Sequence, residues 1–229
     1  MNSMKVISLG GSLVSPNGVD VTFLSHFKRV VLQWLEAGSN RKIILVTGGG
    51  APARLYQEAG RTLVPQITND DLDWLGIAAT KLNAQLVKRL FGLLCVEEVV
   101  DNPSIATFNQ GRILVGAGWK PGFSSDYDAA FLAHRFGATQ IINLSNIDHV
   151  YSSDPKKNSS AKPLEKISWH DLQTLVGDVW TPGSNLPFDP IAAKFAREHN
   201  LTVVVASGAN LPNIKAILDD ESFVGTIIH

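Results

Sequence analysis

The chain predicts an α/β fold: a three-layer αβα sandwich with a mainly parallel central sheet. Two observations carry that prediction. Short apolar runs alternate with stretches whose apolar residues recur at helical spacing, as in strand–crossover–strand units. The runs are apolar throughout, as strands covered on both faces are. A third observation says where such a sheet would bind a ligand. Three runs end in glycine-bearing turns, Gly10-Gly11, Gly48-Gly49-Gly50 and Gly116 to Gly122. In a parallel sheet all three lie at the carboxyl edge, where open α/β sheets take their ligands.

Val6 to Leu9 reads as a short strand stopped by Gly10-Gly11-Ser12. Asp20 or Thr22 caps the next helix, whose apolar positions are Phe23, Leu24, Phe27, Val30, Val31 and Trp34; Gly38 ends it. Ile43 to Val46 is a second buried strand before the triple glycine, and a helix from about Pro52 carries Arg54 and Arg61. Asp70-Asp71-Leu72-Asp73 opens a long helix, with acids where the helix dipole favours them. Strands are expected near Leu93 to Val96 and at Ile113 to Val115. The stretch from Gly116 to Ala130 then combines three glycines, a proline, adjacent hydroxyls, a lysine and two aspartates before a helix through Phe131, Leu132 and Phe136. Glycines let backbone approach a ligand, and amides at a helix start favour anions. As a plain turn, the same stretch would use Ser125 or Asp126 as an N-cap.

Gln140 to Leu144 is a further strand, and Ser152 to Lys162 a polar surface loop with a turn at Asp154-Pro155. Ser168 caps a helix from Trp169 to Val176; a loop from Pro187 to Pro190 contains Asp189; the helix Ile191 to Glu198 carries Lys194. The strand Thr202 to Val205, a helix capped by Asn210, and a strand from Val224 to Ile228 complete the chain. With no repeat, linker or low-complexity tract, residues 1–229 read as one domain.

Twenty basic and 21 acidic side chains leave a net charge of -1, which argues against a broad surface for a nucleic acid polymer. The single cysteine, Cys95, excludes an internal disulfide and a cysteine zinc cluster; its apolar neighbours suggest a buried, inert thiol. The six histidines form no acid/base or metal pair by spacing, so no protein-held metal site is predicted. No 18-residue apolar run occurs and the first residues lack a signal-peptide pattern, so a cytoplasmic protein with no membrane partner is expected.

The ordered pieces Leu9-Gly10-Gly11-Ser12, Gly48 to Gly50 with Ala53-Arg54, and Asp73-Trp74-Leu75-Gly76-Ile77 with Thr80 and Asn83-Ala84 carry a resemblance. So do Pro121-Gly122-Phe123-Ser124-Ser125-Asp126, Asn146-Ile147-Asp148, Val150-Tyr151, Asp154-Pro155-Lys156 and Asp189-Pro190-Ile191-Ala192-Ala193-Lys194. Together they resemble the amino acid kinase superfamily, and within it the archaeal-type uridylate (UMP) kinases.

The resemblance implies transfer of the γ-phosphoryl group of ATP, with Mg²⁺, to UMP. It places Gly48, Gly49, Arg54, Asp73, Ser124 and Ser125 on UMP, with Asp73 facing the ribose. Gly10, Gly11, Ser12, Gly50, Asn146, Asp148, Tyr151, Asp154 and Pro155 fall on ATP, the last four forming a lip for adenosine. The N-terminal part would serve mainly UMP and roughly 140–229 mainly ATP. Read from the residues alone, Asp73 is equally a helix-start charge, Tyr151 a packing residue and Asp154 a turn residue.

Asp126 matches the acid that positions catalytic lysines, and Lys194 is the first choice for the transition-state cation, ahead of Lys120 and Lys5. Many superfamily members carry lysine where this chain has Ser8; archaeal-type relatives also lack it. Phe123, Tyr127, Asp128 and His149 depart from the pattern and bear on acceptor specificity. The resemblance also implies a homo-oligomer, a hexamer in similar enzymes. Two other readings share the scaffold: an acetylglutamate-like kinase, and a non-catalytic nucleotide sensor or oxyanion-storage protein.

Overall fold

The structure is a computed structural model describing residues 4–155, 157–177 and 186–229. Lys156, in the expected Asp154-Pro155-Lys156 run, lies outside the described residues. The first half runs β1 (Met4–Leu9), a short α1 (Gly11–Val14), α2 (Val21–Glu36), β2 (Lys42–Thr47), α3 (Gly50–Leu63), α4 (Asn69–Phe91) and β3 (Ile113–Gly116). Next come α5 (Ser125–Phe136), β4 (Gln140–Ser145) and three two-residue strands, β5 (Val150–Tyr151), β6 (Pro163–Leu164) and β7 (Lys166–Ile167). The chain closes with α6 (Trp169–Val176), α7 (Pro190–Glu198), β8 (Thr202–Ser207), α8 (Leu211–Leu218) and β9 (Thr226–Ile228).

Seven strands form one sheet in the order β3-β2-β1-β4-β8-β9-β7, with β5 and β6 a separate antiparallel pair. From β3 to β8 every pairing is parallel; only β8 against β9 is antiparallel. Register follows side-chain alternation. Leu114, Ile44, Val6, Ile141 and Val203 stand in one row across the sheet.

That row belongs to one core, completed by the alanine-rich faces of α5 (Ala129, Ala130, Ala133) and α7 (Ala192, Ala193, Ala196). The intervening positions, Ile7, Leu9, Ile43, Leu45, Ile142 and Val204, belong to a second core. There they meet Phe27, Val31 and Trp34 of α2, Val87 of α4 and Ile214 of α8. Two cores on opposite faces of one sheet make the three layers expected from continuous apolar strands. The outer α3 packs on α4 and buries only Gly50, Ala51 and Gln57, leaving Leu55, Tyr56 and Leu63 exposed.

Several local expectations are corrected. Leu93 to Val96 is no strand: α4 persists to Phe91, Gly92 turns the chain at φ 55, and Leu93 is 96% exposed in a 3₁₀ turn. β3 is reached instead by a single bridge from Val100 to Gly116. The α5 N-cap is Ser124, whose hydroxyl accepts from the Tyr127 amide; Ser125 and Asp126 already lie within the helix. Helix α3 starts at Gly50 rather than Pro52. Helix α4 opens behind a Thr68–Asp71 capping box, and Asp20 caps α2. Cys95 is buried, and desolvation pushes its thiol up to about 12, as an inert side chain requires. No helix of the described residues is long and apolar enough to cross a membrane.

Candidate active site at the carboxyl edge of the sheet

Because β1, β2, β3 and β4 run parallel, the segments that follow them meet at one edge. The first two glycine turns are packed backbone on backbone. A Cβ on Gly11 would lie 2.0 Å from the Gly50 nitrogen, and one on Gly48 2.5 Å from the Gly11 nitrogen. Gly50 has φ +68, which only glycine adopts freely. Gly10 donates its amide to Leu144 O, Gly48 to Leu9 O and Ala51 to Ser15 O.

The amides of Gly11, Ser12, Gly49 and Gly50 make no hydrogen bond among the described residues. Asn83 donates to the carbonyls of Gly48 (2.8 Å) and Gly49 (3.2 Å), fixing the turn's orientation at the start of α3. Clustered amides at the start of a long helix suit an anion.

Beside these turns is a cleft of about 190 Å³. Gly49, Gly50 and Arg54 line one part of it; Gln57, Asp73, Gly76, Ile77 and Thr80 another; Gly118, Phe123, Ser124 and Ser125 the rest. Of the residues assigned to UMP, Gly49, Arg54, Asp73, Ser124 and Ser125 are thus brought together, with Gly48 in the adjoining turn. Gly50, assigned to ATP, borders the same cleft. Asp73 is buried, and its Oδ2 accepts the Gly122 amide at 2.8 Å, so it anchors the loop after β3. Gln57, which no motif singles out, donates to Leu72 O across the α3–α4 contact.

Asp126 sits in the first turn of α5. The Ser8 hydroxyl donates to its Oδ1 at 2.8 Å and the Asp189 amide to its Oδ2 at 3.4 Å. Burial pushes the Asp126 carboxyl up to about 6; the Ser8 bond opposes the rise and the nearby Asp189 adds to it. Asp189 is 2% exposed and caps α7 by accepting the Ala192 amide at 2.7 Å. Burial raises its carboxyl too, against hydrogen bonds from Ala192 and Ser124.

Asp128 is raised well above the ordinary range, again first by burial. Three acids are therefore gathered with no ion pair to a basic side chain among the described residues. Sequence reasoning left Asp189 without a role. The legible signal was the Asp-Pro start of a helix.

The residues assigned to ATP's lip follow β4. Tyr151 donates its hydroxyl to Asp148 Oδ1 at 2.9 Å, and His149 Nδ1 lies 3.5 Å from Asp148 Oδ2. Partial burial works to raise Asp148, but hydrogen bonds from Tyr151 and its own backbone, with the imidazole of His149 close by, bring it below the usual carboxylate range. Asp154 accepts the Lys157 and Asn158 amides on its carbonyl, forming a turn with Pro155, and Asn146 is exposed. The lip begins beside the first glycine turn, since Gly10 touches Leu144 and Ser145.

The lysines are dispersed. Lys194 is exposed on α7 and borders a separate small groove with Trp169, Gln173, Gly177 and Arg197. Lys120 lies over the rings of Trp119 (4.1 Å) and Phe123 (5.3 Å). Lys5 pairs with Asp220 at the start of β1, the opposite end of the strand from the glycine turns.

Comparison with known proteins places this arrangement. The profile described as the Amino acid kinase family matches residues 3–207. The chain belongs to that family. Among this family's curated members it is 33% identical to the uridylate kinase of Thermoplasma volcanium over 100% of this chain and 98% of that one. It is 33% identical to that of Methanocorpusculum labreanum, over 97% and 94% respectively. The crystal structure of uridylate kinase from Archaeoglobus fulgidus superposes with a TM-score of 0.82 at 31% identity, covering 99% of this chain and 100% of that one. The UMP kinase of Bacillus anthracis, 22% identical with a TM-score of 0.77 over 99% and 96%, shares the amino acid kinase fold.

Proposed function

We propose that the protein is a nucleoside monophosphate kinase that transfers the γ-phosphoryl group of ATP to UMP, yielding UDP and ADP. One observation carries the reading: the chain is 31% to 33% identical to uridylate kinases over nearly its whole length. The cleft supports it, since Arg54, Asp73, Ser124 and Ser125 line one space beside unpaired backbone amides.

Phosphoryl transfer asks little covalent chemistry of a protein; it needs in-line placement and compensation of charge. The acceptor's phosphate would face Arg54, Ser124, Ser125 and the Gly48-Gly49 turn, with its ribose on Asp73. The donor's phosphates would lie over Gly10, Gly11, Ser12 and Gly50. Asn146, Asp148, Tyr151, Asp154 and Pro155 would hold the adenosine. The N-terminal part would then serve mainly UMP and roughly 140–229 mainly ATP.

Asp126 orders the site by joining β1, through Ser8, to the start of α7, through Asp189. Lys194 rides on that helix, exposed and outside the lining of the cleft, and we assign it as the cation that would have to reach the migrating group from there. Among the described residues no group of three or more His, Cys, Asp or Glu side chains is placed to hold a metal. Mg²⁺ would arrive on ATP's phosphates and would neutralise charge on the phosphate oxygens.

Exposed Leu55, Tyr56, Trp74, Leu82 and Leu86 on α3 and α4 support a homo-oligomer, as a hexamer or otherwise, of a cytoplasmic enzyme. Light scattering reads that state directly. Purified protein with Mg·ATP should phosphorylate UMP much faster than CMP, AMP or acetylglutamate. Preference for acetylglutamate would replace the reading with the amino acid substrate. Nucleotide binding without transfer would replace it with a sensor.

A further inference from the structure

Asp128 does not line the cleft, yet it holds one of its walls. The loop after β3 supplies Gly118, Phe123 and Ser124 to the lining. Three side chains pin its amides. Thr80 Oγ1 accepts from Gly118 at 2.8 Å, Asp73 Oδ2 from Gly122 at 2.8 Å, and Asp128 Oδ2 from Trp119 at 3.2 Å. The first two acceptors stand on α4, and Asp128 alone of the three reaches from α5.

What Asp128 restrains is aromatic. The Trp119 ring stacks on Phe123 with centroids 5.7 Å apart and planes at 20°, and Phe123 packs on Tyr127 at 4.2 Å. The orientation of the Trp119 peptide therefore passes to Phe123, which faces the cleft. Asp128 is 1% exposed, and its Oδ1 has no hydrogen-bond partner among the described residues. A carboxyl in such a place costs stability that an apolar side chain would not. Among the described residues its one side-chain hydrogen bond from another segment is the one from Trp119.

We propose that Asp128 is a positioning residue for the phosphoryl acceptor: by accepting the Trp119 amide it sets Phe123 against the cleft, and so governs affinity for the nucleoside monophosphate rather than the rate of transfer. The inference rests on the reading of the cleft as the UMP site. Asp128→Leu and Asp128→Asn both remove the buried carboxyl, but only asparagine keeps an acceptor for Trp119. The leucine variant should raise both KM and the calorimetric Kd for UMP about tenfold, from one orphaned amide on half-buried Trp119, with kcat and KM for ATP within about twofold of wild type. The asparagine variant should stay within about twofold throughout.

A role in folding alone would move the two variants' thermal midpoints and leave UMP affinity unchanged. Equal UMP affinity in the leucine and asparagine variants, or a fall in kcat at constant KM, overturns the inference while leaving the acceptor assignment intact. If the leucine variant does not fold, Asp128→Ala supplies the same comparison with asparagine. Wild-type protein that neither binds nor phosphorylates UMP overturns the acceptor reading, and this inference with it.

Discussion

The two glycine turns after β1 and β2 and the loop after β3 border the same edge but are built in opposite ways. The first pair is backbone against backbone, with Gly11 against Gly48, Gly49 and Gly50 and no room for a single Cβ. The loop after β3 is held by side chains, through Thr80, Asp73 and Asp128. The difference teaches that one region admits no gradation, because any added atom displaces main chain. The other can be retuned by exchanging an acceptor, without redrawing the fold.

The sharpest way to break the comparison is Gly11→Ala. It should lower transfer by about 100-fold or more, because a displacement near 1 Å at a reacting centre has that effect; steady-state kinetics on folded protein reads it. Retained activity would mean the interlock is not the phosphate cradle. Arg54→Ala comes next. Loss of a charge-assisted contact should raise KM for UMP roughly 10- to 100-fold with a smaller change for ATP. Lys194→Ala should lower kcat more than nucleotide affinity; unchanged kcat removes Lys194 from the transfer step.

The pH dependence follows from Asp126, raised by burial from 3.8 to about 6. Between those values the folded state holds a proton that the unfolded chain releases, so stability falls as pH rises through that window. Asp128 and Asp189 are shifted in the same direction. The thermal midpoint should therefore drop between pH 4 and 7, and less steeply in Asp126→Asn. A midpoint that rises over that range would contradict the carboxyl cluster. The smallest effect is expected at Gly122, whose φ is +86 and whose added Cβ would meet nothing within 4 Å. Gly122→Ala should cost only about 1 kcal/mol, from backbone conformation alone, as chemical denaturation would show.

Much of this was legible beforehand. Apolar runs such as Ile43 to Val46 point to strands covered on both faces, and Asp20, Ser168 and Asn210 declare helix starts by local hydrogen bonding. Leu93 to Val96 misled because the same apolar composition serves a turn that follows a long helix. The partnership of Asp126 with Ser8 and Asp189 spans 118 and 63 residues, and no local pattern encodes it.

From its sequence alone this chain determined its layers, its mainly parallel sheet and the glycine turns that end three of the strands, since these depend on hydrophobic burial and on the steric freedom of single residues. Only the tertiary structure decided that Gly11 meets Gly50 without space for a side chain, that three buried acids lie close together, and that Lys194 and Lys5 stand outside the lining of the cleft. Those are distances between residues remote in the chain, and they exist only once the strands have paired and the helices have packed.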